Sequence, residues 1–239
     1  MNPLHGKTAL VTGSSRGIGR AIAVALARAG AAVVVNYLRR EAEARAVEKE
    51  IAGLDRPCIG VQADVSIAGD VERLVRTAEE RSGPIDILIN NAGIAHANLP
   101  VEKLPLPVWK DVLETNLTGT FLITQAALAI MKRGSTIVNN LSIAANRVFP
   151  GSAAYNASKH GALGLINTLR EELRPRGIRV IALLPGATDT DIWTTLWPEA
   201  PRKKMMSPAT VAEAVVQAIL LPANATVESL EILPTAGTL

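Results

Sequence analysis

Tyr155 and Lys159 are the two residues in this sequence whose types and spacing could do proton chemistry. They lie in the segment SAAYNASKHGAL at 152–163, and residues four apart share one face of a helix. A free phenol has a pKa of about 10, and a cation held beside it lowers that pKa by favouring the phenolate. A tyrosine in this setting can act as a general acid or base. The alternative is a surface helix that carries the pair by chance.

Other polar residues stand where the same chemistry would need them. Ser142 comes thirteen residues before Tyr155, directly after an apolar run at 135–140. The segment NNAG at 90–93 ends another apolar run, and Asn116 lies in the long helical pattern that follows it. An open α/β sheet binds ligands at the carboxyl ends of its strands. We therefore expect Ser142 and the NNAG segment at the ligand-binding edge of the sheet.

Short apolar runs alternate with helical patterns along the whole chain, which predicts the elements that position these residues. We predict strands at 8–11, 32–35, 58–63, 85–90, 135–140, 178–184 and 229–232. We predict helices at 20–29, 40–52, 66–81, within 107–131, and at 153–174 and 208–220, with Ser66 as the N-cap of the third. Apolar strands separated by helices indicate a parallel sheet covered on both faces. The predicted fold is α/β, a doubly wound Rossmann-type parallel sheet of about seven strands in a single domain, 1–239.

Composition and charge exclude several classes of protein. A hydrophobic fraction of 48% over 239 residues supports a large core and argues against disorder. The net charge of +3 comes without a basic stripe or a reading element, so nucleic acid is not an expected partner. Cys58 is the sole cysteine and no histidines have ligand spacing, so we expect no metal site. No apolar run reaches membrane-spanning length, and we expect a cytoplasmic protein that does not bind membranes.

A glycine-rich segment, TGSSRGIG, joins the first predicted strand to the first helix. Its glycines at 13, 17 and 19 would let bare backbone approach a pyrophosphate and aim helix N–H groups at it. The spacing G-x-x-x-G-x-G differs from the commoner dinucleotide fingerprint. The segment predicts a dinucleotide cofactor, and the alternative is that the glycines only make the turn.

The end of the second strand indicates which dinucleotide. NAD-binding sheets carry an acid there for the ribose hydroxyls, whereas this chain has Asn36, followed by Arg39 and Arg40, with Arg16 inside the glycine segment. Guanidinium groups bind a 2′-phosphate, which a carboxylate would repel. We therefore predict NADP(H) as the cofactor. The alternative is that Arg39 and Arg40 only open a solvated helix.

Taken together, these motifs closely resemble the compact group of the short-chain dehydrogenase/reductase family. TGSSRGIG resembles the family's T-G-x-x-x-G-x-G cofactor loop, ADV at 63–65 its adenine-contacting segment, and NNAG its central-sheet motif. LPGATDT at 184–190 resembles its P-G-x-x-x-T segment beside the nicotinamide. The order and spacing of four residues match the family's catalytic tetrad: Asn116, Ser142, Tyr155 and Lys159.

The resemblance implies a role for each residue of that tetrad. Tyr155 would be the general acid in carbonyl reduction and the base in the reverse reaction, and Ser142 would hydrogen-bond the substrate oxygen. Lys159 would bind the nicotinamide ribose and lower the pKa of Tyr155, and Asn116 would hold a water in a proton relay. The resemblance and the residues together predict these cofactor contacts: Gly13, Ser15, Arg16, Gly17, Ile18, Gly19, Asn36, Arg39, Asp64, Val65, Asn91, Ala92, Gly93, Tyr155, Lys159, Pro185, Gly186, Thr188 and Thr190.

The predicted activity is NADPH-dependent hydride transfer between the nicotinamide and a carbonyl or alcohol, and the alternative is a non-catalytic NADP-sensing protein. The segment 186–207 contains Trp193 and Trp197. It is either a lid that gives a partly apolar small-molecule substrate a bulky wall, or ordinary packing. The family implies a homotetramer or homodimer, although the tail LEILPTAGTL departs from the family's usual D-G-G-like ending.

Overall fold

Seven short strands, apolar along most of their length, pair in parallel to form one sheet. The computed structural model describes residues 2–237, so the ends of the predicted domain 1–239 lie outside the described residues. The strands are β1 Thr8–Val11, β2 Ala32–Tyr37, β3 Cys58–Gln62, β4 Ile87–Asn90, β5 Thr136–Asn140, β6 Arg179–Pro185 and β7 Ser229–Ile232. Their order across the sheet is β3-β2-β1-β4-β5-β6-β7. The predicted doubly wound parallel sheet is confirmed.

Helices cover both faces of the sheet. They are α1 Gly17–Arg28, α2 Glu41–Ala52, α3 Ala68–Ser82, α4 Leu106–Leu113, α5 Gly119–Leu128, α6 Ala153–Leu173, α7 Trp193–Leu196 and α8 Pro208–Ile219. Successive strand residues point to opposite faces. Val11 packs in a core with α1, α2 and α8, whereas Leu10 packs in a second core with α3, α5 and α6. This two-sided burial explains why the strands are apolar throughout rather than alternating.

The strand order reverses at the centre of the sheet, between β1 and β4. The chain reaches the β3 edge and then returns to pair Leu10 of β1 with Leu88 of β4. The loops after these two strands therefore leave in different directions and open a crevice, which is where such sheets bind ligands. The loops stay close at the base of the crevice, because a Cβ added to Gly13 would lie 2.9 Å from the Ala92 Cα.

Ser66 is not an N-cap, contrary to the sequence prediction. Helix α3 begins at Ala68 after an extended Ile67. The Ser66 backbone N–H and hydroxyl both donate to Asp64 Oδ1, at 2.9 and 2.7 Å. The hydroxyl is therefore used as a donor inside the turn and is not an acceptor for the helix N–H groups. Asp64 thus holds the turn before α3, and the Ser66 side chain does not cap that helix.

Two segments have more structure than the sequence predicts. The long helical pattern within 107–131 is interrupted by a π-helical turn, Glu114–Thr118, between α4 and α5. Such turns often mark functional sites, and this one contains Asn116. The segment 186–207, for which no helix is predicted, contains α7 and a 3-10 turn at Arg202–Lys204.

Candidate active site

A cleft of about 1020 Å³ opens at the carboxyl ends of the strands. It extends from Arg39 and Arg40 at one end, over the glycine segment, to Trp193 and Trp197 at the other. Nearly every site residue predicted from the sequence lines it, although these residues come from seven separate stretches of the chain. The exception is Asn116, which is buried and does not line the cleft.

Tyr155, Ser142 and Lys159 meet on the inner wall of this cleft. Ser142 follows β5 and opens a 3-10 turn, where its Oγ accepts a hydrogen bond from the Ala144 N–H at 3.1 Å. Tyr155 and Lys159 lie one turn apart on α6, and the Lys159 Nζ is 5.5 Å from the centroid of the Tyr155 ring. A strand end and a helix face thus bring a hydroxyl, a phenol and an ammonium together.

Burial controls the protonation of both titratable groups in this wall. Burial raises the pKa of Tyr155, and a hydrogen bond with the Ser142 side chain partly offsets that rise. Loss of water around the phenol therefore outweighs the other effects on this pKa, and the lowering of the Tyr155 pKa by Lys159 stays a prediction for the site with its cofactor bound. Burial also lowers the pKa of Lys159, from 10.5 to about 8. Its Nζ donates to the Asn140 carbonyl oxygen at 3.2 Å.

The depressed pKa of Lys159 predicts that its ammonium costs the protein stability. The free energy of keeping it charged in the folded state is about 3 kcal/mol, and the lost hydrogen bond would offset about 1 kcal/mol of this. The cost is fully present below the folded pKa of about 8 and disappears as pH rises towards the ordinary 10.5. We expect Lys159→Met to increase the free energy of unfolding by about 2 kcal/mol at pH 7, and by much less at pH 10.

Urea unfolding of both proteins at the two pH values, at one fixed protein concentration, measures this effect. Lys203→Met, at an exposed position outside the cleft, is the control and should show no such pH-dependent difference. A Lys159→Met protein that is less stable than the parent at pH 7 would contradict the assigned burial cost.

Asn116 is buried next to the site and connects two of its segments by hydrogen bonds. In the π-helical turn its amide nitrogen donates to the Ile94 carbonyl at 2.9 Å and to Ser158 Oγ at 3.0 Å, and its Oδ1 accepts from the Ile94 N–H at 2.8 Å. Ser158 in turn donates to the Tyr155 carbonyl oxygen at 2.8 Å. Both hydrogens of the Asn116 amide therefore form hydrogen bonds within the protein. In this arrangement the Asn116 side chain ties the segment after β4 to helix α6.

The glycine segment forms a bare cradle at the start of α1. Gly13 and Gly17 have φ angles of +59° and +58°, which favour glycine. A Cβ on Gly19 would lie 2.7 Å from the Gly13 carbonyl oxygen and would overlap the Asn91 amide. The first N–H groups of α1, a helix of 12 residues, have no partners within the helix. This cradle fits an anionic phosphate group, as the donor ends of helices commonly do.

Asn36 holds this cradle in place and does not reach into the cleft with a free polar group. Its Oδ1 accepts from the Gly13 N–H at 3.0 Å, and its amide nitrogen donates to the Ala63 carbonyl at 3.0 Å. The side chain is 2% exposed. Asn36 therefore lines the base of the cleft and shapes the loop, and its contact with the cofactor stays a prediction.

The three arginines that line the cleft have different surroundings. Arg16 pairs with Asp191 of the 186–207 segment at 2.5 Å, and both side chains are exposed. Arg40 pairs with Glu43 at 2.7 Å. Arg39 lines the cleft. No acidic side chain among the described residues 2–237 forms an ion pair with it. Arg16 and Arg39 thus place two guanidinium groups beside the cradle, of which one is held by an exposed pair that is weak in water.

Asn140 is a site residue that the sequence analysis missed. Its amide nitrogen donates to Asn91 Oδ1 at 2.8 Å, and Asn91 donates onward to the carbonyl oxygens of Thr12 and Gly13 at 2.8 and 3.0 Å. The same residue's backbone carbonyl holds Lys159. The chain of amides therefore connects the end of β5 to the glycine cradle. The signal in the sequence that could have indicated Asn140 is the Asn-Asn dipeptide at the end of β5 (139–140), which repeats the one at the end of β4 (90–91).

The 186–207 segment forms the outer wall of the cleft. Trp193 Nε1 donates to the Thr188 carbonyl at 2.8 Å, and the Asp189 N–H donates to the Met206 carbonyl at 2.8 Å. Arg202 pairs with Asp189 at 2.8 Å. Both Trp193 and Trp197 line the cleft. The segment is thus held at its two ends while its short helix faces the cavity.

The structure also bears on two expected absences. Within the described part of the chain, no three histidine, cysteine or acidic side chains are grouped closely enough to hold a metal ion. None of the described helices combines the length and the apolar character needed to cross a membrane.

Comparison with known proteins identifies the family. Residues 7–201 match the family model described as short chain dehydrogenase. A 3-oxoacyl-[acyl-carrier-protein] reductase from Synechocystis sp. is 41% identical over 198 residues, 82% of this chain and 80% of that protein. A 3-oxoacyl-[acyl-carrier-protein] reductase from Staphylococcus epidermidis is 40% identical over 192 residues, 80% of this chain and 78% of the relative.

Solved structures agree with the sequence matches. A short-chain dehydrogenase from Burkholderia cenocepacia in complex with NADP superposes with a TM-score of 0.90 and 34% identity, covering 98% of this chain and 99% of that one. An alcohol dehydrogenase from Thermococcus sibiricus complexed with 5-hydroxy-NADP has a TM-score of 0.89 and 31% identity, covering 96% and 97%. From its sequence, its seven-stranded sheet and these matches, the chain belongs to the short-chain dehydrogenase family of oxidoreductases.

Proposed function

We propose that this protein is an NADP(H)-dependent carbonyl reductase, or the alcohol dehydrogenase that runs the same reaction in reverse. The observation that carries the proposal is the meeting of Tyr155, Ser142 and Lys159 on the inner wall of a cleft that also contains the glycine cradle. A proton donor and an anion-binding loop in one cleft are what reduction by a nicotinamide cofactor requires.

The contacts around the cradle support NADP(H) over NAD(H). Gly13, Gly17 and Gly19 would receive the pyrophosphate, and Arg16 and Arg39 would bind the 2′-phosphate. Asn36 replaces the carboxylate that would repel that phosphate, and its side chain is engaged with the loop backbone. The Burkholderia and Thermococcus neighbours, solved with NADP and 5-hydroxy-NADP, support the same choice.

The residues of the inner wall divide the reaction between them. NADPH, when bound, supplies the hydride that adds to the carbonyl carbon. Ser142 Oγ binds the carbonyl oxygen, and Tyr155 donates its proton to that oxygen as the alcohol forms. The raised pKa of Tyr155 keeps the phenol protonated at neutral pH, as the acid of a reduction must be. Lys159, held by the Asn140 carbonyl, keeps ammonium hydrogens available for the ribose hydroxyls.

The substrate proposed here is a small carbonyl or alcohol with an apolar portion. The outer part of the cleft is lined by Ile94, Phe149, Ile192 and the two tryptophans, which favours an apolar group beside the reacting carbon. The 186–207 segment would act as the lid over it. The relatives named as 3-oxoacyl-[acyl-carrier-protein] reductases add the 3-oxoacyl thioester to the carbonyls worth testing.

Helix α5 supports a homo-oligomer, as a tetramer or dimer. Its Phe121 is 44% exposed, beside the exposed Gln125 one turn further on. A second subunit that packs on this helix would cover the Phe121 ring. Light scattering after size-exclusion chromatography measures the mass, and a monomer at micromolar concentration would contradict this part of the proposal.

An NADPH-consumption assay over a panel of ketones, aldehydes and 3-oxoacyl thioesters tests the proposed function. We expect turnover of at least one carbonyl class with NADPH, and little with NADH. A protein that binds NADP(H) tightly yet turns over no member of the panel would favour the second candidate, a non-catalytic NADP sensor. The Tyr155, Ser142 and Lys159 arrangement favours the enzyme, because a sensor needs no proton donor at the cofactor.

A further inference from the structure

The aromatic residues of this protein are concentrated in its cleft. The chain has only seven aromatic side chains, three Trp, two Tyr and two Phe. Five of them line the cleft: Tyr37, Phe149, Tyr155, Trp193 and Trp197. Tyr37 also packs in the core, whereas Phe149, Trp193 and Trp197 are not among the buried core residues, so core packing does not explain where these three lie. Their position points to the ligand that the cleft receives.

Three of these five, Phe149, Trp193 and Trp197, line the same cleft as Tyr155 and come from the segments before α6 and after β6. Phe149 is fixed to the helix that carries Tyr155, because its carbonyl oxygen accepts hydrogen bonds from Asn156 Nδ2 at 2.8 Å and from the Ser152 N–H at 3.2 Å. Trp193 stands on the opposite wall with its indole N–H bonded to the Thr188 carbonyl. These hydrogen bonds hold the Phe149 backbone beside the start of α6 and the Trp193 indole against the Thr188 carbonyl.

Trp197 completes the outer wall at the mouth of the cleft. It is 42% exposed, an unusual state for the largest apolar side chain, and its backbone N–H is bonded to the Trp193 carbonyl at 2.9 Å. Ser152 and Asn98, which also line the cleft, are hydrogen-bonded to each other, Ser152 Oγ donating to Asn98 Oδ1 at 2.9 Å. The cleft thus offers aromatic ring faces to a ligand, and the acidic side chains that line it are Asp64, Asp111, Glu114 and Asp191.

We propose, on the basis of the carbonyl reductase function above, that the substrates are aryl ketones and aryl aldehydes, with Trp197 and Phe149 selecting the ring. Each aromatic pair strengthens binding about two- to twelvefold beyond the effect of the area it buries. A ring also loses fewer rotatable bonds on binding than a linear chain of the same carbon number. In the reduction, the carbonyl carbon gains a hydride, the oxygen gains the Tyr155 proton, and a benzylic alcohol and NADP⁺ leave.

Three ketones with eight carbons each separate ring character from size: acetophenone, cyclohexyl methyl ketone and 2-octanone. We expect kcat/KM with NADPH to fall in that order, with acetophenone about tenfold above 2-octanone, as one or two aromatic contacts would give. Trp197→Leu should lower kcat/KM for acetophenone about fivefold more than that for 2-octanone. Trp109→Leu is the matched control, because Trp109 lies on α4 outside the cleft, and it should preserve the order.

A binding measurement without turnover gives an independent readout. Calorimetry with the Tyr155→Phe protein saturated with NADP⁺ compares 1-phenylethanol with 2-octanol. We expect tighter binding of 1-phenylethanol, and loss of that preference when Trp197→Leu is added.

The outcomes separate this inference from the function on which it rests. If no carbonyl compound is turned over, the proposed carbonyl reductase function is itself contradicted. Turnover of 2-octanone or of a 3-oxoacyl thioester at or above the acetophenone rate leaves the reductase standing and overturns the aryl assignment. Equal losses for all three ketones in Trp197→Leu, together with a changed oligomeric mass, would place Trp197 in a subunit contact and also overturn it.

Discussion

Replacing Tyr155 with Phe is expected to lower kcat for carbonyl reduction by about 10²–10⁴-fold, the usual contribution of a positioned general acid. Phe keeps the ring and its buried volume but removes the hydroxyl, which interacts with Ser142. The cofactor should still bind, because the glycine cradle and Arg16 lie elsewhere in the cleft. Steady-state NADPH oxidation and NADPH fluorescence titration measure the two effects separately.

The control for this substitution is Tyr37→Phe, which changes the chain's other tyrosine. Tyr37 ends β2, is 5% exposed and lines the far part of the cleft. We expect its kcat to stay within about threefold of the parent, as a residue outside the proton path allows. Equal activity of Tyr155→Phe and the parent, with the substrate saturating, would show that the proton comes from another group.

Replacing Arg16 and Arg39 together with Ala is expected to lower the preference for NADPH over NADH by about 100-fold or more. Hydrogen bonds to a charged partner contribute about 1.5–3 kcal/mol each, and each 1.4 kcal/mol is about tenfold in binding. Most of the loss should be in KM for NADPH, because the 2′-phosphate is remote from the reacting atoms. Values of kcat/KM for both cofactors at one carbonyl concentration give the ratio.

Arg40→Ala provides the matched control, since Arg40 neighbours Arg39 but is paired with Glu43. It removes the same charge from the same turn and should change the ratio less than fivefold, as expected for a longer-range and screened effect. If the double variant keeps the parent's ratio, the 2′-phosphate is bound by other groups. If Arg40→Ala alone abolishes the preference for NADPH, Arg40 binds the 2′-phosphate and the proposed role of Arg16 and Arg39 is wrong.

The sequence predicted the sheet well for a physical reason. Buried parallel strands are short apolar runs, so seven strands could be located from runs such as TALV at 8–11, and β7 begins and ends where predicted. The glycine cradle and the Tyr155–Lys159 pair were also predictable, because the spacing of the glycines and the four-residue spacing of the pair can be read within a few residues of chain. Local chemistry can be inferred from local sequence.

The features that the sequence did not predict depend on contacts between distant segments. Asn36 appeared to face a ribose but is engaged by the Gly13 N–H and the Ala63 carbonyl. The π-helical turn at Glu114–Thr118 has no distinctive composition, and its role becomes visible only when Asn116 meets Ile94 and Ser158. The raised pKa of Tyr155 similarly results from burial that many elements create together.

The grouping of aromatic residues in the cleft also depends on distant segments and could not be predicted from the sequence. Phe149 precedes α6 and Trp193 begins α7, more than forty residues apart in the chain. Their common lining of one cavity is set by β5 and β6 lying side by side in the sheet. The sequence shows that aromatic residues are few, whereas the fold shows where they gather.

A crystal structure of the protein with NADP⁺ bound tests the central claim most directly, because the claim is about where one phenol stands. We expect the Tyr155 hydroxyl to lie within hydrogen-bond reach of Ser142 Oγ and to face the nicotinamide, with Lys159 Nζ on the ribose hydroxyls and the pyrophosphate over Gly13–Gly19. A bound cofactor with the Tyr155 hydroxyl turned out of the cleft, or with Lys159 remote from the ribose, would contradict the account.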